Sequence, residues 1–371
     1  MSETALDPAA PAGRVTRARN RREVSFFEFW PGWLFYAPVV AFWLLQSIRY
    51  RSITLPCLAN PPINAGGICG ESKNDILGLA GPAAHPWIAK YAALTISSHA
   101  DADDTGRALV AMEQAGLSFP VVAKPDISCN GVGVRVVRDA AQLSGYLSAF
   151  PRTAALQLQA LVTYEGEAGI FYIRHPDERT GRITSVTLKY APAVIGDGRQ
   201  TVKALVAADA RLNAISHILL PKLGARANQI PAPGERVALV FVGNHCRGST
   251  FKDGLSIVTP ALSARIDEIM QDMPGVYFSR IDLRYDNLEA LREGRDFKII
   301  EFNGSGSEAT HIWDPEMTLA RAYKDQFFHY GESFRIGAEM RKTGLKPIGP
   351  LKLLALWQHQ KRLMRAYPAN D

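Results

Sequence analysis

Between Pro31 and Ile48 the chain runs for 18 residues without a charge, PGWLFYAPVVAFWLLQSI. A segment this apolar must be buried against protein or given to lipid. About 20 apolar residues carry a helix across a bilayer, so this one is at the lower limit, and Pro38 interrupts its centre. Aromatic residues near its ends suit the headgroup level of a membrane. A cleaved signal peptide is a poor reading, because no small-residue cleavage site follows and Arg49, Tyr50 and Arg51 come directly after. A single span would put the two parts of the chain on opposite sides. An in-plane helix, or a re-entrant one bent at Pro38, keeps everything on one side and is the favoured reading. The plain alternative is a buried core helix.

Charge sharpens this choice. The chain carries 42 Lys and Arg against 36 Asp and Glu, a net +6. Arg14, Arg17, Arg19, Arg21 and Arg22 precede the apolar segment, and residues 341–371 hold seven basic residues against the single Asp371. The centre is near neutral, so a nucleic-acid partner is not expected and a membrane surface is. The tail interleaves Leu351, Leu354 and Trp357 with Lys352, Lys361, Arg362 and Arg365, which fits a basic amphipathic surface helix or an ordinary packing helix. With 371 residues and 47% apolar composition the chain is globular and large enough for two or three packed units. Cys57, Cys69, Cys129 and Cys246 form no CxxC pair, so neither a disulfide framework nor a cysteine zinc site is expected.

Strands and helices alternate through the middle, an α+β pattern. Strands are expected at 52–59, 119–123, 134–137, 156–161, 169–174, 183–190, 236–242, 277–283 and 297–301. Helices are expected at 72–79, 105–115, 139–150, 202–214 and 262–271. Walker A, HExxH, GxSxG and complete GxGxxG motifs are all absent. Local clusters remain. Lys124 ends an apolar strand and precedes a loop with Ser128, Gly131 and Gly133, whose backbone N–H groups could approach a phosphate. Alternation puts Arg280 and Asp282 on one strand face, and Glu301 and Asn303 on one face of the next. The short link between these strands makes them pair, so Asp282, Glu301 and Asn303 converge as oxygen ligands for Mg²⁺. Gln159, Leu161 and Val162 lead into Glu167, a candidate adenine hinge with a carboxylate near the ribose. Lys189 ends a further strand, and Arg247 lies in a polar loop.

Taken in order, Lys124 with its glycine loop, the hinge, Glu167, Lys189, Arg280-x-Asp282 and Glu301-x-Asn303 resemble the ATP-grasp superfamily. Within it the likeness is to carboxylate–amine ligases of the D-alanine–D-alanine ligase and cyanophycin synthetase type. It covers roughly residues 87–330, and RIDL…KIIEFNGSGSEATH is its most specific part. The resemblance implies two α/β subdomains gripping ATP. It implies that Lys124 and Lys189 bind phosphates, that the Ser128–Gly133 loop closes over them, and that Arg280 stabilises the transferred phosphoryl group. It gives Asp282, Glu301 and Asn303 one or two Mg²⁺, or Mn²⁺ in their place. Departures are Gln159 where the family often has an acidic residue, and residues 60–72, which have no counterpart in the familiar ligases.

The implied division is a basic start (1–28), a hydrophobic membrane-associated segment (29–51), a shortened N-terminal α/β region (52–118), an ATP-grasp domain (119–333) and a basic tail (334–371). The implied reaction joins a small-molecule carboxylate to an amine through an acyl phosphate, on the cytoplasmic face of the membrane. Arg247, Ser305 and Ser307 are candidates for holding a substrate carboxylate. A small-molecule kinase and a non-catalytic nucleotide-binding scaffold are the alternatives. Deleting residues 1–50 is expected to release the protein from membranes.

Overall fold

Apolar alternation in the centre of the chain builds two antiparallel sheets that meet along a polar seam. The computed structural model describes residues 24–99, 102–240 and 248–368. Helix α1 (Gly32–Tyr50) takes in most of the uncharged segment and ends past Arg49, and α2 (Lys73–Gly78) follows a run of short 3₁₀ turns. The first sheet contains β1 (Tyr91–Thr95), β2 (Val121–Pro125), β3 (Arg135–Val137) and β4 (Ala155–Ala160), in the order β1-β4-β2-β3. Helices α3 (Asp104–Gln114) and α4 (Ala140–Ser148) cover it; Asp103 and Asp139 cap them by accepting from Gly106 N and Gln142 N. Leu94, Ala108, Val121, Leu143 and Leu156 lie in the core between them.

The second sheet contains β5 (Gly166–Ile173), β6 (Arg182–Tyr190), β9 (Thr250–Asp253), β10 (Phe278–Tyr285) and β11 (Phe297–Asn303), ordered β11-β10-β5-β6-β9. Between β6 and β9 the chain forms a small unit of β7 (Ala193–Ile195), β8 (Arg236–Ala238), α5 (Val202–Ala208), α6 (Ala210–Ala214) and α7 (Ser216–Leu223). One face of the larger sheet packs Ile170, Val186, Ile281 and Phe302 against Leu262, Ile266 and Ile269 of α8 (Pro260–Gln271). Helix α9 (Leu288–Arg292) fills the short link between β10 and β11. The chain closes with α10 (Leu319–Lys342) and α11 (Pro350–Ala366).

Several expectations change. Residues 52–59 are not a strand: Leu55–Ala59 is a buried 3₁₀ turn with Pro56 in its first turn, since proline cannot donate to a ladder. The helix expected over 202–214 breaks at Asp209, whose carboxylate accepts from Leu212 N and starts α6 instead. The strand expected over 236–242 is Arg236–Ala238, and residues 241 and 242 lie outside the described part. Helix α1 runs through Pro38, and among the described residues no helix is long and apolar enough to cross a membrane. One side of α1 is packed instead. Phe35 and Val39 are buried, Phe42 stacks on Phe327 at 4.7 Å between centroids, and Trp43 meets Phe334 edge-on at 5.0 Å.

Candidate active site at the seam between the sheets

Strands β10 and β11 pair antiparallel, with Arg280 opposite Asn303 and Asp282 opposite Glu301. The register then skips Ile300, because Leu283 pairs with Ile299. This bulge reconciles a broken alternation. Ile299 and Phe302 face the core, while Glu301 and Asn303 face the seam beside Arg280 and Asp282.

Asp282 is the centre of the polar face. Its carboxylate accepts from Arg280 Nε at 3.2 Å and Nη2 at 3.0 Å, from Lys189 Nζ at 2.9 Å and from Asn303 Nδ2 at 3.1 Å. Burial alone would raise its pKa, but Arg280 and Lys189 outweigh that and hold it at about 2. Lys189 lies two strands away, on β6, and reaches Asp282 across Gly169 of β5. A Cβ on Gly169 would sit 3.0 Å from Asp282 Oδ1 and 3.5 Å from Lys189 Cε, so the absent side chain is what lets the pair meet. Burial would lower Lys189, but Asp282 and Glu167 keep it above its ordinary value. Glu167 pairs with Lys189 at 3.4 Å and with Arg284 at 3.2 Å.

The first sheet contributes from the other side. Lys124 on β2 is buried and donates to Gln159 Oε1 on β4 at 2.6 Å and to Ile300 O at 3.2 Å. Gln159 Nε2 also donates to Ile300 O, at 3.3 Å. The bulge therefore presents a carbonyl that both residues use, and this ties the two sheets together. Burial lowers Lys124 to about 8, with Glu301 opposing the effect. Leu161 and Val162 follow β4, half-buried, on the crossing into the second sheet. Ser128 lies buried in the loop after β2, where Gly131 and Gly133 take the left-handed backbone with φ of 66° and 75°.

The substrate candidates are placed differently. Ser305 is buried; its N–H donates to Gly66 O at 2.9 Å and its hydroxyl accepts from Asn60 Nδ2 at 3.3 Å. Ser307 donates to Gly304 O within its own turn. Arg247 lies outside the described residues. The residues 60–72 thus pack backbone to backbone on the turn after β11: a Cβ on Gly67 would stand 2.6 Å from Gly304 Cα. A cavity of about 560 Å³ beside them, lined by Cys57, Asn64, Asp75 and Lys352 among others, includes none of the seam residues.

Several solved ligase structures are similar to this chain. A bifunctional glutathione synthetase from Pasteurella multocida matches at 18% identity and TM-score 0.37, over 69% of this chain and 35% of that one. A VanG D-Ala:D-Ser ligase from Enterococcus faecalis matches at 12% identity and TM-score 0.39, over 72% and 64%. A D-alanine–D-alanine ligase from Bacillus anthracis matches at 14% and 0.39, over 75% and 69%. This chain therefore spans about a third of the first structure's length and just under two thirds of the second's. No protein-family model and no curated protein matches the sequence. At these identities and TM-scores the likeness carries no weight about chemistry, which rests on the contacts at the seam.

Two seam residues escaped the sequence reading. Lys73, at the start of α2, donates to Ser128 O at 2.7 Å and pairs with Glu301 at 3.3 Å, so it links the glycine loop to β11. Its only signal was a lysine after the Gly-Glu-Ser turn. Glu308 is half-buried, and desolvation raises its pKa against hydrogen bonds from Trp313, Tyr36 and Gln326. Its carbonyl accepts from Arg280 Nη1 at 3.2 Å, which joins α1 to the polar face of β10 and β11 through Tyr36. No local pattern marks that connection.

Proposed function

We propose that this chain is an ATP-dependent carboxylate–amine ligase of the ATP-grasp kind, with ATP bound between its two sheets. The observation that carries the reading is the paired register of β10 and β11. It sets Arg280, Asp282, Glu301 and Asn303 on one face, within reach of Lys189 and across from Lys124. The donor set suits a hard divalent cation: two carboxylates and an amide oxygen, with Asp282 held ionised. Among the described residues no three His, Cys, Asp or Glu side chains gather as a metal site, and the third donor here is the Asn303 amide. Mg²⁺ on this set would screen the phosphate charges and polarise the transferred group.

The residues divide the remaining work. Lys124 and Lys189 neutralise phosphate oxygens, and the 128–133 loop covers them with backbone N–H groups. A substrate carboxylate oxygen attacks the γ-phosphorus and ADP leaves, giving an acyl phosphate. An amine nitrogen then attacks the acyl carbon, forms the amide and expels phosphate. Arg280 faces charge that develops in both steps. No nucleophile from the protein is required.

Hydroxylamine tests the reaction class. Added with ATP and a competent acid, it should divert the acyl phosphate to a hydroxamate. A stable phosphorylated product that resists hydroxylamine would make the protein a kinase instead.

Lys124 supplies a pH signature. Nucleotide phosphate favours its protonated form, whose pKa in the free protein is about 8. Affinity should therefore be level below that pH. Above it, affinity should fall by up to about tenfold per pH unit, with one proton taken up on binding. Calorimetry in buffers of different ionisation enthalpy measures this uptake. Lys124→Met should remove the pH dependence, and a flat profile in the wild type would remove Lys124 from the phosphate site.

A further inference from the structure

Among the described residues nothing covers the outward face of α1. Between Trp33 and Ile48 its exposed residues are Trp33, Leu34, Ala37, Pro38, Val40, Ala41, Leu44, Leu45 and Ile48, every one apolar. Trp33 and Ile48 are about three quarters exposed, at 76% and 75%. The opposite side, bearing Phe35, Val39, Phe42 and Trp43, is the one packed on the rest of the protein. A stripe of this length facing solvent marks an interaction surface.

Charge around the stripe identifies the partner. Arg341 Nη1 donates to Tyr50 O at 2.8 Å, and Thr54 Oγ1 donates to Ile348 O at 2.7 Å. The C-terminal end of α1 therefore meets the end of α10, and the turn that follows α1 meets the linker into α11. Exposed Ile53, Leu345 and Leu351 extend the apolar surface there, among exposed Arg49, Arg51, Lys342, Lys346 and Lys352. Residues 32–70 and 341–368 contain no acidic residue. The described chain begins only eight residues before α1, and five arginines lie in the residues before that.

We infer that this face docks in the plane of an anionic lipid leaflet, with the α1 stripe in the headgroup–acyl boundary and the basic rim on lipid phosphates. A two-fold pairing with a second copy would set the same basic rim against itself, whereas anionic headgroups complement it. A one-leaflet helix also agrees with an apolar side backed by folded protein, and among the described residues no helix is long and apolar enough to cross a membrane. The inference is independent of the ligase reading.

Flotation of the full chain with phosphatidylcholine vesicles, with and without phosphatidylglycerol, tests it. Binding should require the anionic lipid and weaken with salt. The double substitution Leu45→Glu, Ile48→Glu should reduce vesicle binding at least tenfold, with the thermal melt unchanged. Arg49→Glu with Arg51→Glu should abolish the preference for phosphatidylglycerol. No flotation with either vesicle overturns the proposal. So does a discrete dimer by analytical ultracentrifugation that the Leu45→Glu, Ile48→Glu protein loses while neither protein binds vesicles.

Discussion

Asp282→Asn should cost the protein turnover and stability together, whereas Glu301→Gln should cost turnover alone. Both replacements keep shape and remove one negative charge, so the difference isolates what each charge does. Asp282 is buried and compensates two cations, the half-buried Arg280 and the buried side chain of Lys189, at hydrogen-bonding distance. Neutralising it takes the carboxylate from Arg280 and leaves Lys189 with Glu167 at 3.4 Å, a loss of about 3–5 kcal/mol for a broken buried pair. Glu301 is 29% exposed and its one ion pair among the described residues is with Lys73 at 3.3 Å. Losing that pair should change stability by no more than about 1 kcal/mol. Under the proposed mechanism each substitution should lower ATP-dependent turnover by about a thousandfold or more, since each would remove a ligand of the cation proposed to screen the phosphates.

Thermal melting and turnover on the same preparations separate the two effects. If Glu301→Gln turns over ATP like the wild type, the metal assignment fails. If Asp282→Asn melts like the wild type, Asp282 is not the counter-ion that the contacts describe. The pH dependence follows the same charge. Asp282 is depressed in the folded protein from 3.8 to about 2, so its stabilisation is complete above the unfolded value. It is lost as pH falls from the unfolded value through about 2.

The part of the site that was legible lies on two strands joined by a short link. Side chains alternate with period two, so Arg280-x-Asp282 and Glu301-x-Asn303 each share a face, and α9 is too short to let their strands part. The bulge at Ile300 was not legible, although the run Ile299-Ile300-Glu301 violates alternation and could have flagged one. Sheet order is a tertiary property, and this is why Lys189 meeting Asp282 across Gly169 could not be read from spacing. Strand β1 was missed because Tyr91–Thr95 is short and rich in alanine. Lys73 and Glu308 were missed because their partners lie far along the chain. Residues 60–72 showed their composition but not their purpose, which is to pack on the Gly304–Gly306 turn and fix the exit of β11.

Truncation of residues 1–50 should leave no cooperatively folded protein, and this revises the view of that segment as a detachable anchor. Phe27 and Phe35 are buried and stack with each other at 5.6 Å, and Phe35 lies 4.6 Å from Trp313 and 5.5 Å from Tyr323. Losing one such aromatic typically costs about 3–5 kcal/mol. Glu28 pairs with Arg211 at 2.7 Å, both side chains buried, so truncation takes from Arg211 its carboxylate partner at a similar cost. These losses together rival the net stability of about 5–15 kcal/mol that a whole domain commands. They also reach the chemistry, because Tyr36 helps hold Glu308, whose carbonyl positions Arg280. The truncated chain should therefore aggregate or bind hydrophobic dye, with no sharp melting transition and no turnover. Leu45→Glu with Ile48→Glu, on the opposite side of the same helix, should melt like the wild type. If the chain from Arg51 onward instead melts cooperatively within a few degrees of the full protein, the buried side of α1 is not part of the core. Two faces of one helix would then differ in nothing that folding can sense, and the contacts at Phe35, Tyr36 and Glu28 would carry no stability.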